Sequence, residues 1–426
     1  MHKIEKLLQT LAPKGVEFKT LEEVFEIKNG YTPSKNNPEF WEKGTIPWFR
    51  MEDIRENGRI LKDSIQHITP KALRGKKLFP KNSIIISTTA TIGEHALLIV
   101  DSLANQRFTF LSKKANCDLA LDMKFFFYQC FLLGEWCKKN TNVSGFASVD
   151  MTAFKKYKFP IPPLEIQQEI VKILDAFTEL NTELNTELKA RKKQYQYYQN
   201  MLLDFNDIHS NHKDAKEKLA QKTYPKNLKT LLQTLAPKGV EFRKLGEVCE
   251  IIRGKRVTKK EILDKGKYPV VSGGIGFMGY LNEYNREENT ITIAQYGTAG
   301  FVNWQNQKFW ANDVCFSLIP NETLIINRYL YYVLTNKQNY LYSISNRSAI
   351  PYSISSNNIM QITIPIPPLE IQQEIVKILD QFSLLTTDLL AGIPAEIKAR
   401  KKQYEYYREK LLSFKPLTPL NNKELA

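Results

Sequence analysis

Few side chains in this sequence stand at the spacings that catalysis or metal binding requires. Gly274-Ile275-Gly276-Phe277-Met278-Gly279 fits the Gly-x-Gly-x-x-Gly pattern that lets a backbone approach a pyrophosphate. That use demands a helix directly after the glycines, with its first amides on the phosphates. Tyr280-Leu281-Asn282-Glu283-Tyr284-Asn285 follows instead and reads as strand and turn. Metal-dependent DNA cleavage asks for a Pro-Asp and a downstream Glu-x-Lys around one cation. Glu26-Ile27-Lys28 and Glu187-Leu188-Lys189 occur, but Pro-Asp does not, so these read as strand and helix surface. The 5 histidines are scattered, which supports neither a zinc site nor a histidine-based triad. Cys117, Cys130, Cys137, Cys249 and Cys315 form no Cys-x-x-Cys pair; they read as free thiols of a reducing cytoplasm.

Asn37-Pro38-Glu39-Phe40 is faintly similar to the Asn-Pro-Pro-Tyr loop of amino-methyltransferases, but lacks the second proline. No glycine-rich loop for S-adenosylmethionine precedes it. What remains is polar and basic loop chemistry beside aromatics, on a chain with net charge +15. A polyanion partner fits that excess, and nucleic acid is the commonest. Arg, Lys, Asn and Gln suit base edges, while Ser, Thr and glycine amides suit phosphates. In the first half the candidates are Gly30, Tyr31, Thr32, Ser34, Lys35, Arg50, Thr88, Thr89, Thr91, Arg107 and Ser144. In the second half they are Arg253, Lys255, Arg256, Ser272, Gly274, Tyr296, Thr298, Asn312, Asn346, Arg347 and Ser348. Many of these types also serve turns.

The elements that must position these loops are duplicated. Ile161 to Asp175 returns unchanged as Ile366 to Asp380, a run of 15 residues, and Leu7 to Phe18 returns as Leu231 to Phe242. Pro162-Pro163 fits a helix's opening turn, and Ile166, Ile170, Ile173 and Phe177 step by four, three and four, as in a coiled-coil seam. Each copy is therefore expected to partner the other. The first long helix should run from Leu164 to Phe205. It contains the tandem units Thr178-Glu179-Leu180-Asn181 and Thr182-Glu183-Leu184-Asn185, then Thr186-Glu187-Leu188. One such unit changes a helix by about 6 Å and about 40°. Both helices share Lys-Ala-Arg-Lys-Lys-Gln-Tyr, at 189–195 and 398–404; Gly392-Ile393-Pro394 should kink or interrupt the second. The variable blocks share an order of elements. Tyr268 to Val271 stands for Ile46 to Phe49, Thr290 to Ala294 for Ser83 to Thr88, and a helix at Asn327 to Tyr342 for one at Leu121 to Lys138. Apolar runs are too short to span a bilayer, and no signal peptide is evident.

Variable block, Ile-Pro-Pro-Leu helix, variable block and the same helix again together resemble a type I restriction–modification specificity subunit. The resemblance covers nearly the whole chain. It implies an α+β fold with two mixed α/β target-recognition domains joined by two long antiparallel coiled-coil helices, in a pseudo-two-fold internal repeat. The expected divisions are a leader helix (1–18), recognition domain 1 (19–160), spacer helix 1 (161–205), a linker with the repeated leader (206–242), recognition domain 2 (243–365), spacer helix 2 (366–414) and a frayed tail (415–426). It further implies a non-catalytic, cytoplasmic subunit without cofactor or metal. Each domain would read one half of a split, asymmetric site in double-stranded DNA. Two modification (methyltransferase) subunits would dock, and restriction (translocase/nuclease) subunits would join for cleavage. Ser87 to Gly93, Ala294 to Gly300, Gly30 and Gly254 fall on the family's recurring loop motif. The rival readings are a single-chain DNA methyltransferase or nuclease, and a coiled-coil scaffold with no DNA role.

Overall fold

The structure, a computed structural model, describes residues 2–142, 147–209, 214–387 and 392–417. The chain divides into two units, one of residues 1–183 with 398–426 and one of residues 184–397.

In the first unit a five-stranded sheet runs in the order Phe25–Asn29, Phe108–Lys113, Ser83–Ser87, His95–Leu98, Ile60–Leu61. A second sheet sets Ile46–Phe49 between His67–Ile68, antiparallel, and Leu103–Ala104, parallel. A two-stranded ribbon pairs Glu17–Thr20 with Lys158–Ile161. Ser83–Ser87 is buried at every position, as a central strand covered on both faces must be. One face receives the helix Met123–Lys139, opened by the Asp122 carboxylate, which accepts from the amides of Lys124 and Phe125. His95 lies beneath that helix against Phe127 and Phe131, and burial depresses its imidazole to a pKa of about 3.

The second unit repeats this plan. Its four-stranded sheet runs Cys249–Arg253, Cys315–Pro320, Thr290–Ala294, Val302–Gln305. Tyr268–Val271 again lies between an antiparallel strand, Tyr280–Leu281, and a parallel one, Trp310–Ala311. Glu241–Lys244 pairs with Thr363–Ile366. The expected single helix from Asn327 is two, Asn327–Asn336 and Gln338–Ser343. They part at Lys337, next to Gln338, whose side chain holds the Gly300 carbonyl and the Val302 amide.

The first long helix is continuous from Leu164 to Leu203, two residues short of the expected end. The second is described as Leu369–Thr387 and Gly392–Leu412. Gly392 has φ +71, so helical geometry does not pass through it. The expected seam is only partly between helices. Ile166, Ile170 and Leu174 are fully buried in the core of their own unit with Phe125 and Phe159, as Ile371, Ile375 and Leu379 are in theirs. A stripe combining three- and four-residue steps is wide enough to face a domain as well as a helix. Helix meets helix through aromatics. Phe177 packs on Tyr404 and Tyr407 in the first unit, and Tyr198 stacks on Phe382 in the second. Later residues of one helix thus meet earlier residues of the other, the antiparallel sense.

The repeat clasps each domain by one geometry. Gln167 is fully buried. Its Nε2 donates to the carbonyls of Ala120 and Pro162, and its Oε1 accepts from the Asp122 amide. Gln372 does the same with the carbonyls of Leu324 and Pro367 and the amide of Ile326. At the repeat's last residue, Asp175 accepts from Lys124 Nζ and Tyr128 Oη. Asp380 takes Arg328 and Tyr332, also four residues apart.

The tail expected to fray is paired where it is described. The Val16 amide donates to the Lys415 carbonyl and the Leu417 amide to the Val16 carbonyl. After the first long helix, Ile208 serves the repeated leader in the same way, accepting from the Val240 amide. The linker that follows is folded where it is described: Ile208, Leu219 and Tyr224 are buried, and Ala215–Gln221 is helical.

Candidate nucleic-acid interface

Both units place their candidate loops where the two sheets meet, and a glycine makes that junction. Gly30 donates to the Phe108 carbonyl and Gly254 to that of Cys315. A Cβ on Gly30 would fall 2.3 Å from the Ala104 oxygen; one on Gly254 would fall 2.1 Å from that of Asn312. The following amides, of Tyr31 and Lys255, donate to the carbonyls of Ala104 and Ala311. A tryptophan indole then donates to the carbonyl of Tyr31 (Trp48) or of Lys255 (Trp310). The two glycines therefore serve close backbone approach, and their neighbours carry the outward chemistry.

In the first unit Lys35, Arg50, Arg55, Arg107, Glu52, Ser87, Thr91 and Asn105 line a trough of about 290 Å³. A second cavity of about 650 Å³ shares Met51, Arg55 and Thr91 and adds Arg59, Glu94 and Lys138. Arg50 lies over Trp48, and its Nε is buried without a hydrogen-bond partner. Arg107 and Lys35 are exposed, as is Ser34. Arg55 was not singled out from sequence; its signal was its place four residues after Met51 on the short helix Met51–Asn57. Other candidates are occupied within the fold. Thr88 Oγ1 bonds Thr109, which donates to Asn29. Thr89 is bridged through its backbone to Ser148, and Lys76 covers the Tyr31 ring. The Thr32 hydroxyl is buried without a partner. Ser144 lies outside the described residues.

In the second unit Lys255, Arg256, Arg347, Asn346, Ser348 and Gly274 are exposed. Arg253 Nε donates to the Asp313 carbonyl, and Arg347 lies over the rings of Tyr342 and Tyr352. Asn312 is buried and caps its surroundings: its Oδ1 accepts from the amides of Val257 and Asp313, and its Nδ2 approaches Ser272 Oγ. Thr298 Oγ1 donates to the Gly273 carbonyl, Asn346 Oδ1 accepts from Ser348, and Tyr296 is bridged to Ser353. These residues shape the loops. Sequence reading passed over the exposed apolar residues Ile275, Phe277 and Ile350 among them.

Among the described residues no cluster of three or more His, Cys, Asp or Glu could hold a metal ion. No helix among them is long and apolar enough to cross a membrane.

A family profile described as "Type I restriction modification DNA specificity domain" matches residues 13–194 and again 237–399. Over 404 residues the chain is 40% identical to the type I restriction enzyme EcoprrI specificity subunit of Escherichia coli, covering 91% of each. It is 33% identical over 258 residues to a putative type I specificity subunit of Mycoplasma pneumoniae, covering 59% of this chain and 94% of that one. In fold it is similar to the crystal structure of a type I restriction-modification system S subunit from M. genitalium. That match has TM-score 0.57 and 19% identity, and covers 93% of this chain and 96% of the other.

Proposed function

Because the chain belongs to the family of type I restriction–modification DNA specificity subunits, we propose that it reads a split, asymmetric site in duplex DNA, one domain per half-site. Members of this family are not themselves catalytic. Methyl transfer and cleavage are the work of separate modification and restriction subunits, with two modification subunits docking on the duplicated helices and restriction subunits joining for cleavage. A cytoplasmic setting accords with that partnership. The observation that carries the reading is the pairing of one repeated scaffold with two unlike loop surfaces. Gln167 and Gln372 hold their domains by the same backbone bonds, while the loops beyond Gly30 and Gly254 share almost no side chains.

In the first domain Lys35, Arg50, Arg55 and Arg107 face one trough with Glu52 as the single carboxylate. Arginine there suits bidentate contact with guanine O6 and N7; Ser34 and Thr91 suit phosphates. In the second, Lys255, Arg256 and Arg347 supply cations, and the amides of the Gly273-Gly274 turn suit phosphate oxygens. The domain divisions read from the sequence, 19–160 and 243–365, are retained in this proposal.

Co-expression with a modification subunit, followed by genome-wide methylation mapping, tests it. A split motif with two unlike halves is expected. Arg107→Ala with Lys35→Ala should weaken duplex binding and flatten the salt dependence, by about one unit of slope for each phosphate no longer neutralised. Salt-insensitive binding would overturn the DNA-reading role. Methyl transfer by the purified chain alone would establish the single-chain enzyme instead.

A further inference from the structure

The second unit exposes apolar side chains at the tips of two loops that the backbone ties together. Ile350 is 99% exposed, Ile275 69%, Phe277 47% and Tyr352 47%. The tie is direct: Gly297 donates to the Tyr352 carbonyl, and Thr298 donates to that of Gly273 through both its amide and its hydroxyl. Tyr296 is bridged to Ser353, and Ile354 donates to the Gln295 carbonyl. From the other side Asn312 Nδ2 approaches both Ser272 Oγ and Met278 Sδ, while its Oδ1 caps Val257 at the end of the run Arg253 to Arg256. The apolar tips and the basic run thus share one loop cluster.

Water solvates a lone Ile350 without difficulty, but several apolar tips gathered on a functional surface point to an apolar feature on the partner. That partner must also accept cations. Among the described residues no carboxylate pairs with Lys255, Arg256 or Arg347. Duplex DNA offers both: phosphates outside, and in the major groove one apolar group, the 5-methyl of thymine. An apolar patch on a protein partner would lack the dense anionic rim these cations meet on DNA. The first unit's trough, built from other loops, presents mainly charged and hydroxyl groups.

Resting on the DNA-reading role proposed above, we infer that the second domain recognises thymine in its half-site through methyl contacts made by Ile275, Phe277 and Ile350. The first domain's trough and these tips of the second then read by different chemistry, charged hydrogen bonding in one and apolar contact in the other.

Deoxyuridine is the probe, since it removes the methyl and keeps every hydrogen-bonding group. Duplexes carrying the mapped site, with each thymine of the second domain's half-site replaced in turn, are bound to the full chain assembled with its modification subunit. At one or more positions affinity should fall about fourfold, the effect of a methyl-sized group at ~0.8 kcal/mol. In Ile350→Ala or Ile275→Ala, whose exposed side chains hold nothing in the fold, that deoxyuridine effect should shrink. Effects in the other half-site should not change. A half-site without thymine overturns the inference, as do deoxyuridine effects that persist in both variants. So does loss of assembly with the modification subunit in the variants while deoxyuridine stays neutral, which would make the tips a protein-binding surface. Failure to bind duplex at all would instead strike the underlying DNA-reading role.

Discussion

Replacing Gln167 by leucine keeps the volume of a fully buried side chain and removes three hydrogen bonds to main chain. The stranded groups are the Asp122 amide and the carbonyls of Ala120 and Pro162. Ala120 is exposed, so its carbonyl recovers water; the other two sit in or beside the core. A buried polar group left unpaired costs about 1–3 kcal/mol, so the variant should lose about 3–4 kcal/mol. The loss falls at the start of the helix Met123–Lys139, where it packs on the repeat. Hydrogen exchange at the amides of Lys124 to Tyr128 should therefore accelerate by about 150-fold, the factor for 3 kcal/mol at 1.36 kcal/mol per decade. Gln372→Leu must act alike in the second unit, because its bonds to Leu324, Ile326 and Pro367 match within 0.1 Å. Gln167→Glu separates the two roles. Its carboxylate still accepts from Asp122 but confronts two carbonyl oxygens, so it should be at least as damaging as leucine at pH 7 and milder as acid protonates it. Reasoning from the clasp fails if either leucine variant costs under about 0.5 kcal/mol. It fails equally if the two differ by more than about 1.5 kcal/mol.

Three further perturbations probe other parts of the molecule. His95 binds a proton with a pKa near 3 when folded and near the usual 6.5 when unfolded, so acid favours the unfolded chain between those values. Stability should be full above pH 6.5 and about 2 kcal/mol lower at pH 5; His95→Phe should abolish that part of the urea-midpoint shift, and an unchanged shift would count against it. Gly30→Ala and Gly254→Ala each drive a methyl into backbone oxygens at 2.3 Å and 2.1 Å and should cost about 3 kcal/mol or more; wild-type urea midpoints would refute the close approach. Deleting Thr182 to Asn185 removes about 6 Å of helix, equivalent to one or two base pairs at 3.4 Å each. The mapped motif should lose that many unread pairs between its halves, and an unchanged gap would dispose of the idea.

Duplication made the scaffold legible. Fifteen shared residues announced two equivalent helices, and the matched strands at Ile46 and Tyr268 followed from element order alone. The direction in which the seam faced was not legible, because Ile166, Ile170 and Leu174 suit a domain core as well as a partner helix. Nor was the fate of single polar side chains. Thr88 and Asn312 look like any loop residue in sequence, yet their hydrogen bonds close on groups 21 and 55 positions away in the chain. The cations were easier to place, since burying Lys35 or Arg107 without a partner would cost several kcal/mol. Apolar tips such as Ile350 went unnoticed because residue type alone says core.

The division of the chain also sets a timetable. Residues 184–397 are contiguous, so the second unit has all its parts once residue 397 has been added. The first unit does not: Leu411 and Leu412 are buried in its core, Gln129 donates to the Leu412 carbonyl, and Phe414 meets Phe125. Although begun earlier, it closes later, once residues 398–414 have left the ribosome. A nascent or prematurely stopped chain therefore carries a finished second unit and an open first one, with Phe125 and Phe177 uncovered for chaperones or proteases to find.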